Sequence, residues 1–404
     1  MEPSLAWLLH PLAVEAFLDE VWARTHYHVE RRCPSYFNGL FGSAAVEELL
    51  EFTRLEPSSV RLVRRHENHD PNTYRFADGA IDLVRVRNEF VDGYTIVLNG
   101  LERYVPAIAS LAHGIEVELN FETQVNAYIT PPESQGFLPH YDDHDVLILQ
   151  TRGSKTWHIY EHADVSPRDL RRRDAFVTDG LPLPSDLRLE AGDVLYIPRG
   201  RVHAAEAAAE PSIHLTVGIH PPTILTLVTR VLEALSLRDD RVLARLPPRH
   251  LDDAEARASL DGLVRDVVRA IEDPSVIAAG LGTIGDALVR RGRCRPTGQL
   301  ISNAIEAKRI DGQTLVAKYR PLYSRVLAVG GGVALQFGQS LVRAGPDHCA
   351  AMLFVSKGTE PFRVSDIPGL GEKEQRELAC TLIVDGFLVR LTNQDEPCQI
   401  PSTR

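Results

Sequence analysis

Short runs rich in Val, Ile, Tyr and Thr, cut by Gly, Pro and Asp, fill the chain from Leu83 to about Gly218. Thr123–Ile129, Val146–Gln150, Thr156–Tyr160, Asp193–Ile197 and Ser212–Val217 have strand length, and their spacing predicts an antiparallel all-β domain. Residues before Leu83 mix helical patterns with a polar, irregular stretch. After Pro221-Pro222 the period becomes helical. Ile224, Leu227, Val228, Val231, Leu232 and Leu235 share one face, and Leu260, Leu263, Val264, Val267, Val268 and Ile271 repeat the pattern before Pro274. Each stripe is broad enough to seek a partner, within the chain or on a second subunit. From Asp311 a polar run leads to a helix around Glu372 to Val384, closed by Gly386 and followed by β-like Phe387–Leu391, which reads as a small winged-helix-like module. The expected boundaries are 1–221, 222–310 and 311–404.

A length of 404 residues exceeds one ordinary core and fits two or three domains. The net charge of −11 argues against a general nucleic-acid binder, since phosphate binding needs a clustered basic face. The segment from Asp311 carries ten basic and ten acidic residues, so it too lacks the footprint of a DNA reader. Cys33, Cys294, Cys349, Cys380 and Cys398 are scattered and read as reduced thiols of a cytoplasmic protein. The N-terminal residues lack the pattern of a signal peptide, and no apolar run has the length of a membrane helix.

The chemistry sits in Pro131–Asp143, which contains His140-Tyr141-Asp142-Asp143. Residues i and i+2 of an extended chain point to one side, so His140 and Asp142 can offer a nitrogen and an oxygen to one point. They supply two members of a facial triad that leaves half of a metal's positions open for co-substrate and O2. His203, after the strand-like Asp193–Ile197 and the Pro198-Arg199-Gly200 turn, is the best third ligand. A chance His-x-Asp tripeptide is the bland alternative, and His69 before Asp70 shows how easily such pairs arise. Lys155 follows a turn at Thr151–Ser154, where the chain is expected to double back beside the preceding strand. There it would either point one positive charge into a barrel mouth, suited to a dicarboxylic co-substrate, or stand in solvent. Asn126 and Tyr128 share one face of their strand, and Ser212, His214, Thr216 and Gly218 share one face of theirs. Such polar stripes line a ligand-holding lumen or face water.

These residues resemble the JmjC-domain ribosomal oxygenases of the cupin-4 group. The similarity runs through Asn126-x-Tyr128-x-x-Pro131, Ser134-Gln135-Gly136, His140–Asp143, Leu149-Gln150-x-x-Gly153-x-Lys155-x-Trp157, Gly192-Asp193-x-Leu195-Tyr196-Ile197-Pro198 and His203, with Pro34–Phe41 as a lead-in. The resemblance implies a mainly β catalytic domain of the double-stranded β-helix (cupin, JmjC) type with a helical N-terminal elaboration, then an α-helical dimerisation domain and a C-terminal winged-helix-like domain. It implies that His140, Asp142 and His203 hold Fe(II), and that Lys155 pairs with the distal carboxylate of 2-oxoglutarate, helped by Tyr128 and Thr216. Asn126 and His214 become pocket residues, and O2 the second co-substrate. It implies hydroxylation of an unactivated C–H bond of a protein side chain, a histidine or arginine of a ribosomal protein, by a homodimer with no membrane and no nucleic-acid partner. The chain departs from the group at His144 and in the loop Glu161–Asp186, where Arg168, Arg171, Arg172 and Arg173 are either substrate contacts or a solvated charge run.

Three other readings remain open from the residues. The same chemistry could act on a biosynthetic peptide or a small molecule. A cupin regulator could bind DNA through its C-terminal module, which the balanced charge disfavours. A cupin isomerase or dioxygenase could use the metal without 2-oxoglutarate, against which Lys155 is the main argument.

Overall fold

The computed structural model describes residues 3–53, 55–65, 67–161, 164–172, 180–292 and 309–391. Two compact units divide the chain, Met1–Pro221 and Pro222–Arg404. Strands of the first unit are β1 (Tyr27–Val29), β2 (Val60–Arg64), β3 (Glu67–Asn68), β4 (Thr95–Leu98), β5 (Glu122–Thr130), β6 (Asp145–Arg152), β7 (Ser154–Ile159), β8 (Ser185–Glu190), β9 (Val194–Ile197), β10 (His203–Ala207) and β11 (Ser212–His220). A large sheet runs β1-β9-β6-β11-β5-β4-β2-β3, and a small one runs β10-β7-β8.

Period-two alternation sorts the residues of the large sheet onto two faces. Val125, Ala127 and Ile129 of β5 and Ile213, Leu215, Val217 and Ile219 of β11 join a core with Leu8, Phe17, Leu111 and Ile115 from the helical elements of this unit. Val146 and Ile148 of β6 and Leu195 and Ile197 of β9 turn the other way and meet Trp157, Ile159 and Leu189 of the small sheet. The two sheets thus pack face to face as a double-stranded β-helix. A one-residue slip of β11 would expel four buried aliphatic side chains from the outer core, a loss of roughly 6–12 kcal/mol, so the register is firmly set.

Two local expectations are corrected. Leu83–Val91 is a helix rather than the start of the β texture, capped by Asp82, whose carboxylate accepts from the Arg85 N–H at 3.1 Å. Of its three valines only Val86 packs into the core, whereas Val84 and Val91 are exposed. Likewise β7 does not lie beside β6: it pairs with β8 and β10. Gly153, at φ +64°, turns the chain from one sheet to the other, and a Cβ there would stand 2.4 Å from the Pro211 carbonyl oxygen.

In the second unit, helices Ile224–Ser236, Ala254–Ile271 and Pro274–Arg291 follow one another. Pro274 opens the third helix at its first turn, with Asp273 as its cap, so it starts an element as well as stopping one. Gly280 lets the first and third helices approach closely, since a Cβ there would lie 2.5 Å from Val231 Cγ2. The helix Ala254–Ile271 buries no residue fully, and Val264 and Val268 are 58% and 51% exposed. Beyond it stand β12 (Leu315–Lys318), β13 (Ser324–Val329), β14 (Gly332–Phe337), β15 (Ser340–Ala344), β16 (Phe362–Arg363) and β17 (Leu388–Arg390), in sheets β16-β12-β17 and β13-β14-β15. Helices Cys349–Lys357 and Glu372–Val384 pack on them around Phe337, Met352, Leu382 and Phe387. This region holds more strand than its sequence suggests. No described helix is long and apolar enough to cross a membrane.

Candidate active site

His140 and His203 are 63 residues apart in sequence and face each other across an isolated antiparallel bridge. The His140 N–H donates to the His203 carbonyl at 3.0 Å and the His203 N–H to the His140 carbonyl at 2.8 Å. This reciprocal pair sets the imidazoles with ring centroids 4.5 Å apart. Asp142, two residues on, is held by its carbonyl accepting from the Gly200 N–H at 2.9 Å, and its Oδ2 lies 3.6 Å from His203 Nε2. One ligand atom from each of His140, Asp142 and His203 falls within 4.8 Å of the others, the one such cluster of three among the described residues.

The tautomers are prepared from behind. His140 Nδ1 lies 2.8 Å from the Leu138 carbonyl and His203 Nδ1 lies 2.9 Å from the Arg201 carbonyl. A carbonyl can only accept, so each Nδ1 carries the proton and each Nε2 keeps its lone pair for the centre of the cluster. Burial and the neighbouring His203 push His140 down to about 4, so it stands neutral at ordinary pH. Two imidazoles and a carboxylate on one side of a point suit an octahedral divalent first-row metal with three positions open. The donor set therefore fits iron.

The floor lies toward the opposite ends of the same strands. Lys155 is 4% exposed, and its ammonium donates to Thr130 Oγ1 at 2.9 Å, with Thr95 Oγ1 a further 3.2 Å from that hydroxyl. Burial lowers its pKa to about 7. Around it, Gln150 Oε1, Trp157 Nε1 and His214 Nδ1 are buried without a protein partner. Burial, with Lys155 beside it, lowers the His214 pKa well below the usual imidazole range. Such orphaned polar atoms are costly unless a polar ligand answers them. Among the described residues Lys155 has no carboxylate partner of its own.

Tyr128 and His214 stack at 4.8 Å, Trp157 meets both His214 and His203, and Phe137 packs between Tyr128 and His140. Burial first, then Asp142, pushes the Tyr128 phenol up to about 12, so it remains a hydrogen-bond donor. The polar stripes of β5 and β11 thus face the small sheet, not water. Thr216 stands opposite Asn126 in this register. Asn126 Oδ1 accepts from the Gly100 N–H at 3.0 Å, which ties that side chain to the turn after β4. Thr130 and Arg61 went unnoticed in the sequence, and Trp157 was noted only within a motif. Of the divergent loop, Arg168 is exposed, whereas Arg173 and the side chains of Arg171 and Arg172 lie outside the described residues.

The fold and the donor set are similar to those of JmjC-type domains, found in oxygenases that use Fe(II), 2-oxoglutarate and O2. Residues 103–227 match the family model of the JmjC domain. The chain is 31% identical over 232 residues to the bifunctional lysine-specific demethylase and histidyl-hydroxylase NO66 of Aedes aegypti, a match that covers 54% of this chain and 34% of that protein. A Drosophila mojavensis protein of the same name is 32% identical over 222 residues, with 54% and 24% covered. The chain thus spans about a third or less of the curated relatives it matches. Among solved structures, Escherichia coli YcfD has a similar fold, with a TM-score of 0.59 at 16% identity over 94% of this chain and 98% of that one. YcfD as a ribosomal oxygenase in complex with cobalt and 2-oxoglutarate gives a TM-score of 0.57 at 16% identity, covering 95% and 99%.

Proposed function

We propose that this protein hydroxylates an unactivated C–H bond of a protein side chain, a histidine or arginine of a ribosomal protein, with Fe(II) held by His140, Asp142 and His203. Iron with 2-oxoglutarate and O2 supplies oxidative decarboxylation, which yields succinate and CO2 and leaves one oxygen atom for the substrate. The observation that carries this reading is the three-ligand cluster standing above a buried lysine with no carboxylate of its own. Lys155 binds the distal carboxylate, with Trp157 Nε1–H as a further donor in reach of the same floor. Tyr128 and Thr216 line the wall between floor and ligands, and Asn126 acts on Tyr128 as a positioning residue. His214 stays neutral and spaces the co-substrate from β11. Substrate contact with the remaining face brings one C–H bond near the ligands while the aromatic wall excludes water.

Homodimerisation is part of the proposal. It is supported by helix Ala254–Ile271, which lacks a fully buried residue, and by exposed Ile224, Leu225, Val228, Val264 and Val268 on this helix and the one before it. The C-terminal sheets and helices serve as a winged-helix-like accessory module, and Cys33, Cys349 and Cys380, none of them in a disulfide, suit a cytoplasmic setting. The deciding experiment supplies Fe(II), 2-oxoglutarate and O2 and follows succinate. Intact masses of ribosomal proteins with and without the enzyme then reveal a gain of one oxygen. Succinate without any such gain would leave the biosynthetic-peptide or small-molecule substrate as the better account, and no succinate would end the oxygenase reading.

A further inference from the structure

Arg61, which the proposed reaction does not use, stands on a transverse row of the large sheet. Arg61 of β2 is in register with Val97 of β4, Val97 with Tyr128 of β5, Tyr128 with His214 of β11, and His214 with Gln150 of β6. Its chain neighbours Val60 and Leu62 point into the outer core, so Arg61 points to the same side as Tyr128. Arg61 Nε, His214 Nδ1 and Gln150 Oε1 are all buried without a protein partner, and all three belong to this one row.

The two strand spacings between Arg61 and Tyr128 amount to about 10 Å, within reach of an extended guanidinium. Arg61 acts electrostatically on the Tyr128 phenol, on which Asp142 acts with the opposite sign. Tyr128 in turn packs through Phe137 against His140. A fixed positive charge therefore borders the space beside the ligand cluster, and Arg61 makes no ion pair among the described residues. The carboxylate of Asp143, next in sequence to Asp142, lies 3.1 Å from His144 Nδ1.

We propose that Arg61 determines substrate charge: its guanidinium takes a hydrogen-bond acceptor of the substrate and turns away cationic side chains. The inference rests on the oxygenase reading and narrows it to neutral or acidic target residues, histidine rather than arginine or lysine. A planar five-donor group with a free Nε is matched by a carbonyl or carboxylate, whereas a second cation in the same walled space meets uncompensated repulsion.

The test uses the full chain with Mn(II) in place of iron and with 2-oxoglutarate, so that binding is read without turnover. Fluorescein-labelled nonapeptide pools, randomised except for a central His, Glu, Lys or Arg, are titrated by fluorescence anisotropy. The His and Glu pools should bind at least about tenfold tighter than the Lys and Arg pools. R61K should keep that ratio, R61Q should flatten it and R61E should invert it, with R61Q sufficient if R61E does not fold. Equal binding of all pools, preference for Lys or Arg, binding of none, or an unchanged ratio in R61Q would each overturn the assignment. A parallel succinate assay on the wild-type protein separates the two levels. Absence of succinate sinks the oxygenase reading, whereas succinate formation with an unchanged ratio in R61Q sinks the Arg61 assignment alone.

Discussion

The proposed contact of Lys155 with the distal carboxylate of 2-oxoglutarate would make affinity a function of pH, with a slope set by the surroundings of the lysine. Burial brings the amine to about 7 in the ligand-free protein. Pairing with a carboxylate favours the charged form, so the bound complex holds its proton to far higher pH. Binding is then proton-coupled: it is at full strength below pH 7 and weakens as the free amine loses its proton. With a free value of about 7, the dissociation constant rises about tenfold between pH 6 and pH 8 and about a hundredfold by pH 9, each pH unit above 7 costing about 1.4 kcal/mol. Calorimetric titration of 2-oxoglutarate into the Mn(II)-loaded protein between pH 6 and pH 9 gives the profile directly. In K155R, whose guanidinium does not titrate in this range, the profile should flatten even if affinity is lower throughout. A flat wild-type profile, or a K155R profile as steep as that of the wild type, would refute the assignment of this lysine.

The same lysine makes a stability prediction of opposite sense. A lysine whose folded value lies below its unfolded one opposes folding fully at pH below about 7, and the penalty fades as pH rises toward the ordinary lysine range. K155M should therefore raise the melting temperature of the ligand-free protein near pH 6, by a margin that shrinks toward pH 10. Asp142→Ala should abolish Mn(II) binding, seen as loss of the broadening that bound Mn(II) gives its spectrum, together with succinate formation, while melting changes little. Gly280→Val, which drives a side chain into Val231, should destabilise the second unit by about 1–3 kcal/mol in urea unfolding. V264E with V268E should convert a dimer to a monomer in light scattering, and a wild-type monomer would remove the basis for that reading.

Much of the site was legible because its logic is local. His140 and Asp142 are two residues apart in an extended segment, so alternation alone puts them on one side. His203 follows a strand and a Pro-Arg-Gly turn, and that order brings it back. Lys155 was legible as an inward charge but not in its setting: its Thr130 partner is 25 positions away on another strand, and the turn at Gly153 changes sheets instead of forming a hairpin. Arg61 could not be found at all, since its meaning depends on a row built from five strands whose order is not the chain order. The helix Leu83–Val91 was misread because its valines have the composition of a strand, and only the Asp82 cap marks its start. In β13 the residues are half-buried to exposed, and in β14 Val333, Ala334 and Leu335 are buried in succession, so neither strand shows a period-two alternation.

The mutual amide bonds between His140 and His203 place both imidazoles on rungs of the ladder itself. Their spacing is then inherited from main-chain geometry and not from side-chain fit, so residues around the rim can be exchanged without disturbing it. Side chains off these rungs, Arg61 and His144 among them, can then be exchanged while the two imidazoles keep their places.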